Sequence, residues 1–147
     1  MTEIQTASEN AGNTTSPGTV SIVVIENSPH DRRLIREALE LWTRPYDLIC
    51  YDDGHSAIES LKRTRQDLNA SVLVLLDWNL PLMHGSKVLK QLREEPNLRG
   101  CFIVVFTSSS SDVDRNLARS LGADQFMTKA VDLDDFFYSV VSLQCLV

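Results

Sequence analysis

Four residues close apolar, strand-length runs and carry side chains that could work together on phosphorus. Glu26 follows IVVI, Asp77 follows VLVLL, Thr107 ends CFIVVFT, and Lys129 follows the short mixed run at 124–128. A carboxylate can attack phosphorus to give an aspartyl phosphate. Phosphoryl transfer asks for little covalent chemistry from a protein, but it needs cations around the equatorial oxygens. Lys129 would supply one fixed charge. A Mg²⁺ held by Glu26, Asp77, the backbone carbonyl of Asn79 and waters would supply another. Thr107 could donate a hydrogen bond to a phosphoryl oxygen. Asp77 is therefore the candidate phosphoacceptor, because it leaves a wholly apolar run with its carboxylate at the strand end.

These residues can meet only if their strands share an edge. Strand-length runs fall at 21–26, 46–51, 72–77, 101–107 and 124–128, with helical patterns between them. VLVLL and CFIVVF are apolar on both faces, as central parallel strands covered by helices should be. In SPHDRRLIREALELW, Leu34, Ile35, Ala38, Leu39 and Trp42 recur at helical spacing, with Ser28 as N-cap and Pro29 at the first helical position. A second helix follows Asp52-Asp53-Gly54, which reads as a solvated turn, and carries Ala57, Ile58 and Leu61. A third holds Val88, Leu89 and Leu92 and stops before Pro96. A fourth runs from about Ser111 to Leu121 and ends at Gly122. The last starts near Asp132, has Asp134 and Asp135 in its first turn, and buries Phe136 or Phe137, Val140 and Val141. Five βα units imply an α/β fold, one parallel sheet with helices on both faces. All strand carboxyl ends then lie along one edge, where ligands bind such sheets.

The 147 residues suit a single domain with a formal net charge of −6, unfavourable for a nucleic-acid surface. No apolar run approaches the roughly 20 residues that span a bilayer. No signal peptide is evident, so a cytoplasmic protein is expected. Residues 1–19, rich in Ser, Thr, Asn and Gly, read as a flexible polar leader, with the domain at 20–147. Cys50, Cys101 and Cys145 form no CxxC pair and read as buried thiols. His30, His55 and His84 each stand at a helix start and read as solvated.

VLVLLDWNLPLMHG, with Pro four and Gly eight residues after Asp77, resembles the phosphoacceptor segment of bacterial response-regulator receiver domains. IENSPHDRRLIREALE resembles that family's first-strand acidic turn and helix. CFIVVFTSSSS and GADQFMTKAVDLDD resemble its fourth and fifth strand ends. The resemblance covers residues 21–147 and looks closest to single-domain regulators that partner phytochrome kinases. It implies a flavodoxin-like, doubly wound five-stranded sheet in the order 2-1-3-4-5 with five helices. It also implies a two-component phosphoprotein that takes phosphate from a sensor histidine kinase, with no enzyme activity beyond assisting its own phosphorylation and dephosphorylation. Asp77 would be the phosphoacceptor, Glu26 an acidic metal residue, Asn79 a carbonyl ligand and Lys129 the partner of the phosphoryl group. Thr107 and Phe126 would switch position together, altering the surface of the fourth helix, fifth strand and fifth helix through which a downstream protein is read.

Two departures bear on chemistry. The family usually places two acids after the first strand, whereas here Glu26 precedes the neutral Asn27. Asn27 could offer only a carbonyl oxygen to Mg²⁺, so metal binding and phosphorylation should be weakened by about ten- to a hundredfold. Ala130 replaces the family's proline after Lys129. A cis bond there would cost about 2.5–4 kcal/mol, so the Lys129–Ala130 peptide should be trans, with the loop shifted and Lys129 liable to leave the crevice. Both departures leave open the alternative of a pseudo-receiver, an interaction module that is not phosphorylated in use. The apolar last helix, FFYSVVSLQCLV, exceeds what one buried face needs and suggests a homodimer or partner surface.

Overall fold

The computed structural model describes residues 2–6, 18–64 and 71–147. Its strands are β1 (Thr2–Thr6), β2 (Val20–Ile25), β3 (Tyr46–Tyr51), β4 (Ser71–Leu76), β5 (Phe102–Thr107) and β6 (Gln125–Thr128). The last five are parallel and run β3-β2-β4-β5-β6 across the sheet, the doubly wound 2-1-3-4-5 order. β1 is an addition. It pairs antiparallel along the outer edge of β3, Thr2 opposite Tyr51 and Thr6 opposite Asp47. These residues belong to the segment that composition reads as a polar leader, and Thr2–Thr6 of it form this strand. An open edge offers unpaired backbone groups that even a polar, β-branched segment such as TEIQT can satisfy. The rest of the leader, residues 7–17, lies outside the described residues.

The helices are α1 (Pro29–Leu39), α2 (Gly54–Thr64), α3 (Gly85–Glu94), α4 (Asp112–Ser120) and α5 (Leu133–Ser142). The sheet separates two cores. α2, α3 and α4 cover one face through Ala57, Ile58, Leu61, Val88, Leu89, Leu92 and Ala118. α1 and α5 cover the other through Ile35, Ala38, Leu39, Phe136 and Val140. Each fully buried Leu or Ile stabilises by roughly 1.5–3 kcal/mol, so the central strands are held from both sides. Trp42 pins the α1 end to α5 by donating its Nε1–H to the Val140 carbonyl at 3.0 Å.

Local signals set the helix starts. Ser28, Ser111 and Asp132 each accept a backbone N–H three residues on, from Asp31, Asp114 and Asp135, as N-caps do. Asp53 is a capping residue rather than a solvated turn. Its carboxylate takes the Ser56 N–H at 2.7 Å and the Ser56 hydroxyl at 2.8 Å, and the backbone bond holds its pKa below the usual carboxylate value. His84 caps α3 by accepting the Ser86 N–H on Nδ1 at 3.1 Å. Gly122 ends α4 at φ +101°, where a side chain would be strained. Of the thiols, Cys50 and Cys101 are buried as expected, but Cys145 is exposed because it falls in the turn after α5.

Candidate functional site

Sheet register brings the candidates to one level. Ile25 pairs with Leu76, so Glu26 and Asp77 are the next residues of adjacent strands. Their own N–H groups continue the ladder to Tyr51 O at 2.9 Å and Ile25 O at 3.0 Å. Thr107 pairs with Thr128, and Lys129 follows, its N–H donating to Thr107 O at 2.7 Å. The Lys129–Ala130 peptide is trans, as expected. Lys129 nevertheless stays in the crevice, because that backbone bond fixes the loop at its root.

The Lys129 ammonium is surrounded by acids. Nζ lies 2.8 Å from Asp31 Oδ2, 3.1 Å from Glu26 Oε2 and 3.8 Å from Asp77 Oδ1. The side chains are 7% exposed for Lys129, 4% for Glu26, 12% for Asp77 and 24% for Asp31, so solvent screens the inner three little. Burial pushes the Glu26 pKa up to about 7, against the pull of Lys129, and the Asp77 charge adds to the rise. Burial disfavours the Lys129 charge, but Glu26, Asp31 and Asp77 outweigh it and hold the ammonium above its usual pKa. One cation among three carboxylates leaves the pocket short of positive charge.

That shortage bears on a metal. Among the described residues no group of three or more His, Cys, Asp or Glu side chains forms a metal cage. Mg²⁺ does not need one, since it is usually held by one or two carboxylates plus water and other hard oxygens. Glu26 and Asp77 provide that donor type, and a buried carboxylate with its pKa raised to about 7 fits a cation arriving beside it. Asn27 and Asn79 are both exposed. The backbone carbonyl of Asn27 accepts from Arg32 Nη1 at 3.2 Å, and the same nitrogen donates to the backbone carbonyl of Glu26 at 2.7 Å.

The glycine eight residues after Asp77 has a steric cause. A Cβ on Gly85 would lie 2.7 Å from both Asp77 O and Trp78 Cα, so α3 can pack against the Asp77 backbone only there. Between them Leu82 adopts φ +67° and Met83 N–H donates to Pro81 O at 2.7 Å, a tight three-residue turn. Trp78, fully buried under α3, donates its backbone N–H to Asp77 Oδ1 at 2.9 Å. Among the described residues its indole Nε1 has no hydrogen-bond partner, and its ring meets His84 edge-on at 5.2 Å.

Thr107 is wholly buried, and its hydroxyl accepts the Ser109 N–H at 3.4 Å. Thr128 donates to Ser109 O at 2.9 Å, so the loop after β5 is tied to β6. Phe126 is half-buried, with the Arg115 guanidinium 5.0 Å above its ring. Arg115, Arg119 and Phe126 line a groove of about 200 Å³ at the α4–β6 junction. The structure thus gathers Glu26, Asp77 and Lys129, and places Thr107 and Phe126 along the neighbouring strands. Asp31 is the acid that sequence reasoning missed. Ser28 as N-cap puts Asp31 in the first turn of α1, beside the strand ends, and that spacing was available to read.

Comparison with known proteins decides the family. The profile described as response regulator receiver domain matches residues 22–140. This chain belongs to the response regulator receiver domain family. It is 32% identical over 125 residues to response regulator Rcp1 of Synechocystis sp., spanning 84% of this chain and 85% of that one. The crystal structure of the Mn(2+)-bound form of Rcp1 superposes with a TM-score of 0.74, covering 84% of this chain and 91% of that one. The phosphorylated cyanobacterial phytochrome response regulator RcpA is also 32% identical, with a TM-score of 0.75 and coverage of 84% and 90%. A receiver domain from Rhodospirillum rubrum is 30% identical, with a TM-score of 0.78 and coverage of 86% and 92%. Among the described residues no helix is long and apolar enough to cross a membrane.

Proposed function

We propose that this protein is a single-domain response regulator that accepts a phosphoryl group from a histidine kinase on Asp77. The observation that carries the reading is the Lys129 ammonium, buried at the rim of the sheet with Glu26, Asp31 and Asp77 around it. Asp77 is the nucleophile. Glu26, Asp77 and the Asn79 carbonyl would hold Mg²⁺, which neutralises charge on the transferring group when bound, and Asn27 contributes at most weakly. The protein's own residues bind and orient. Lys129 compensates the new anion, and the Thr107 hydroxyl turns from the loop toward it. Phe126 follows by leaving the Arg115 guanidinium, so the α4–β6–α5 face is the surface that changes for a downstream protein. Similarity to RcpA, a cyanobacterial phytochrome response regulator, supports a kinase of phytochrome type. A cytoplasmic site of action agrees with that relationship. The protein is not an enzyme in its own right and at most assists its own phosphorylation and dephosphorylation.

The exposed apolar side chains Val131, Leu133, Tyr138 and Leu146 lie at the start of α5, on it and just beyond it. They suit a partner or a second copy on that side. The neutral, exposed Asn27 favours the rival reading of a pseudo-receiver. Beryllofluoride with Mg²⁺ separates the two. Amide NMR shifts spreading from Asp77 to Phe126 and α5 are expected, and Asp77→Asn should abolish them. No shifts in the wild-type protein would leave the pseudo-receiver standing.

A further inference from the structure

The acids around Lys129 differ in rigidity, distance and exposure. Asp77, the candidate nucleophile, is the most distant from Nζ at 3.8 Å, beyond hydrogen-bond range, and its Oδ1 already accepts the Trp78 N–H. The short bonds go to Asp31 and Glu26. Asp31 is held in place. Its N–H donates to the Ser28 hydroxyl at 3.2 Å, and Arg32, next in the chain, fastens the same turn to the carbonyls of Glu26 and Asn27. The carboxylate therefore cannot follow Lys129 far, and an ammonium moving toward Asp77 must let it go.

We propose that Asp31 is a positioning residue that holds the Lys129 ammonium back from Asp77 until an anionic group arrives there. The proposal rests on the reading of Asp77 as phosphoacceptor. Asp31 also carries the second negative charge that the family pattern would place at Asn27, but it places that charge on α1, on the lysine rather than at the exposed turn. Its 24% exposure makes this bond the one that can exchange for water, whereas Glu26 is enclosed. A phosphoryl group on Asp77 would add anionic oxygens near Nζ, and Lys129 would then exchange Asp31 for them. While Lys129 is engaged by Asp31, the pocket is competent only a fraction of the time. Anion binding at Asp77 is weakened by that fraction.

The test uses the whole protein and Asp31→Asn, which keeps the shape of the side chain and leaves the Ser28 cap, made to the backbone, in place. In the free protein without Mg²⁺, ¹⁵N NMR reads hydrogen exchange at the Lys129 ammonium. Asp31→Asn should speed that exchange at least about tenfold, and Asp77→Asn should change it much less. In saturating Mg²⁺, beryllofluoride should bind Asp31→Asn about five- to tenfold more tightly than wild type. A merely structural role for Asp31 would move neither quantity in that direction. Unchanged ammonium exchange, or beryllofluoride affinity equal to or weaker than wild type, overturns the proposal while sparing Asp77. Failure of both proteins to bind beryllofluoride overturns the phosphoacceptor reading and this proposal together.

Discussion

Two charged clusters, at opposite ends of β5 and β6, show what separates a site from a staple. On one side Arg93 of α3 donates to Gly122 O at 2.9 Å, Arg99 O at 3.1 Å, Cys101 O at 2.8 Å and Asp124 Oδ2 at 2.8 Å. Asp124 Oδ2 also accepts the Ile103 N–H at 2.8 Å. One cation meets one carboxylate, and the remaining donors find fixed carbonyls. On the other side a single ammonium serves Glu26, Asp31 and Asp77, and burial carries Glu26 to about 7. The first cluster is balanced and locks the loops around β5 and β6. The second has one ammonium for three acids and is left short of positive charge.

The comparison predicts different losses when each cation is removed. Lys129→Met should slow phosphorylation by acetyl phosphate about a hundredfold or more, since it removes the fixed charge facing the transferring group. Its unfolding midpoint in urea should change far less. Arg93→Ala should do the reverse. It leaves the exposed Asp124 carboxylate with the Ile103 N–H alone and takes the guanidinium from three loop carbonyls, costing about 1 kcal/mol in urea unfolding. Phosphorylation should be unaffected at temperatures where the variant is folded. A phosphorylation defect in Arg93→Ala matching that of Lys129→Met would erase the distinction.

Acidity sharpens the contrast further. Glu26 binds a proton more tightly folded, near pH 7, than its ordinary value of 4.5 allows unfolded. Its contribution is thus fully present below about pH 4.5 and lost as pH rises through about 7. In that window it should lower stability by at most about 1.4 kcal/mol per pH unit. Denaturation at a series of pH values in metal-free buffer should show this slope, and Glu26→Gln should flatten it. The smallest effect is expected at the turn between the two regions. Leu82 is fully exposed at φ +67°, so Leu82→Gly should relieve strain and raise stability by about 0.5–1 kcal/mol in thermal unfolding.

Most of the architecture was legible before any coordinates, because apolar runs and capping residues report local physics. Ser28, Pro29, Ser111, Gly122 and Asp132 mark helix ends that the structure reproduces. Glu26, Asp77 and Lys129 converge because strand ends in a parallel sheet must share an edge. What escaped depended on contacts between distant segments. β1 exists only because β3 has an open edge, and the polar composition of TEIQT conceals it. Asp31 reads as an ordinary acid in a helix's first turn until Lys129, nearly a hundred residues later, is placed against it. Cys145 was misjudged from the apolarity of its neighbours, although the chain leaves the helix just before it. The Gly85 contact with Asp77 and Trp78 supplies the physical reason for a spacing that the sequence only displayed.

Intact mass after incubation with acetyl phosphate and Mg²⁺ tests the central claim most directly. The wild-type protein should gain the mass of one phosphoryl group, lose it on alkaline treatment, and gain nothing as Asp77→Asn. Equal labelling of the two proteins, or none of the wild type at saturating Mg²⁺, would contradict the assignment of Asp77.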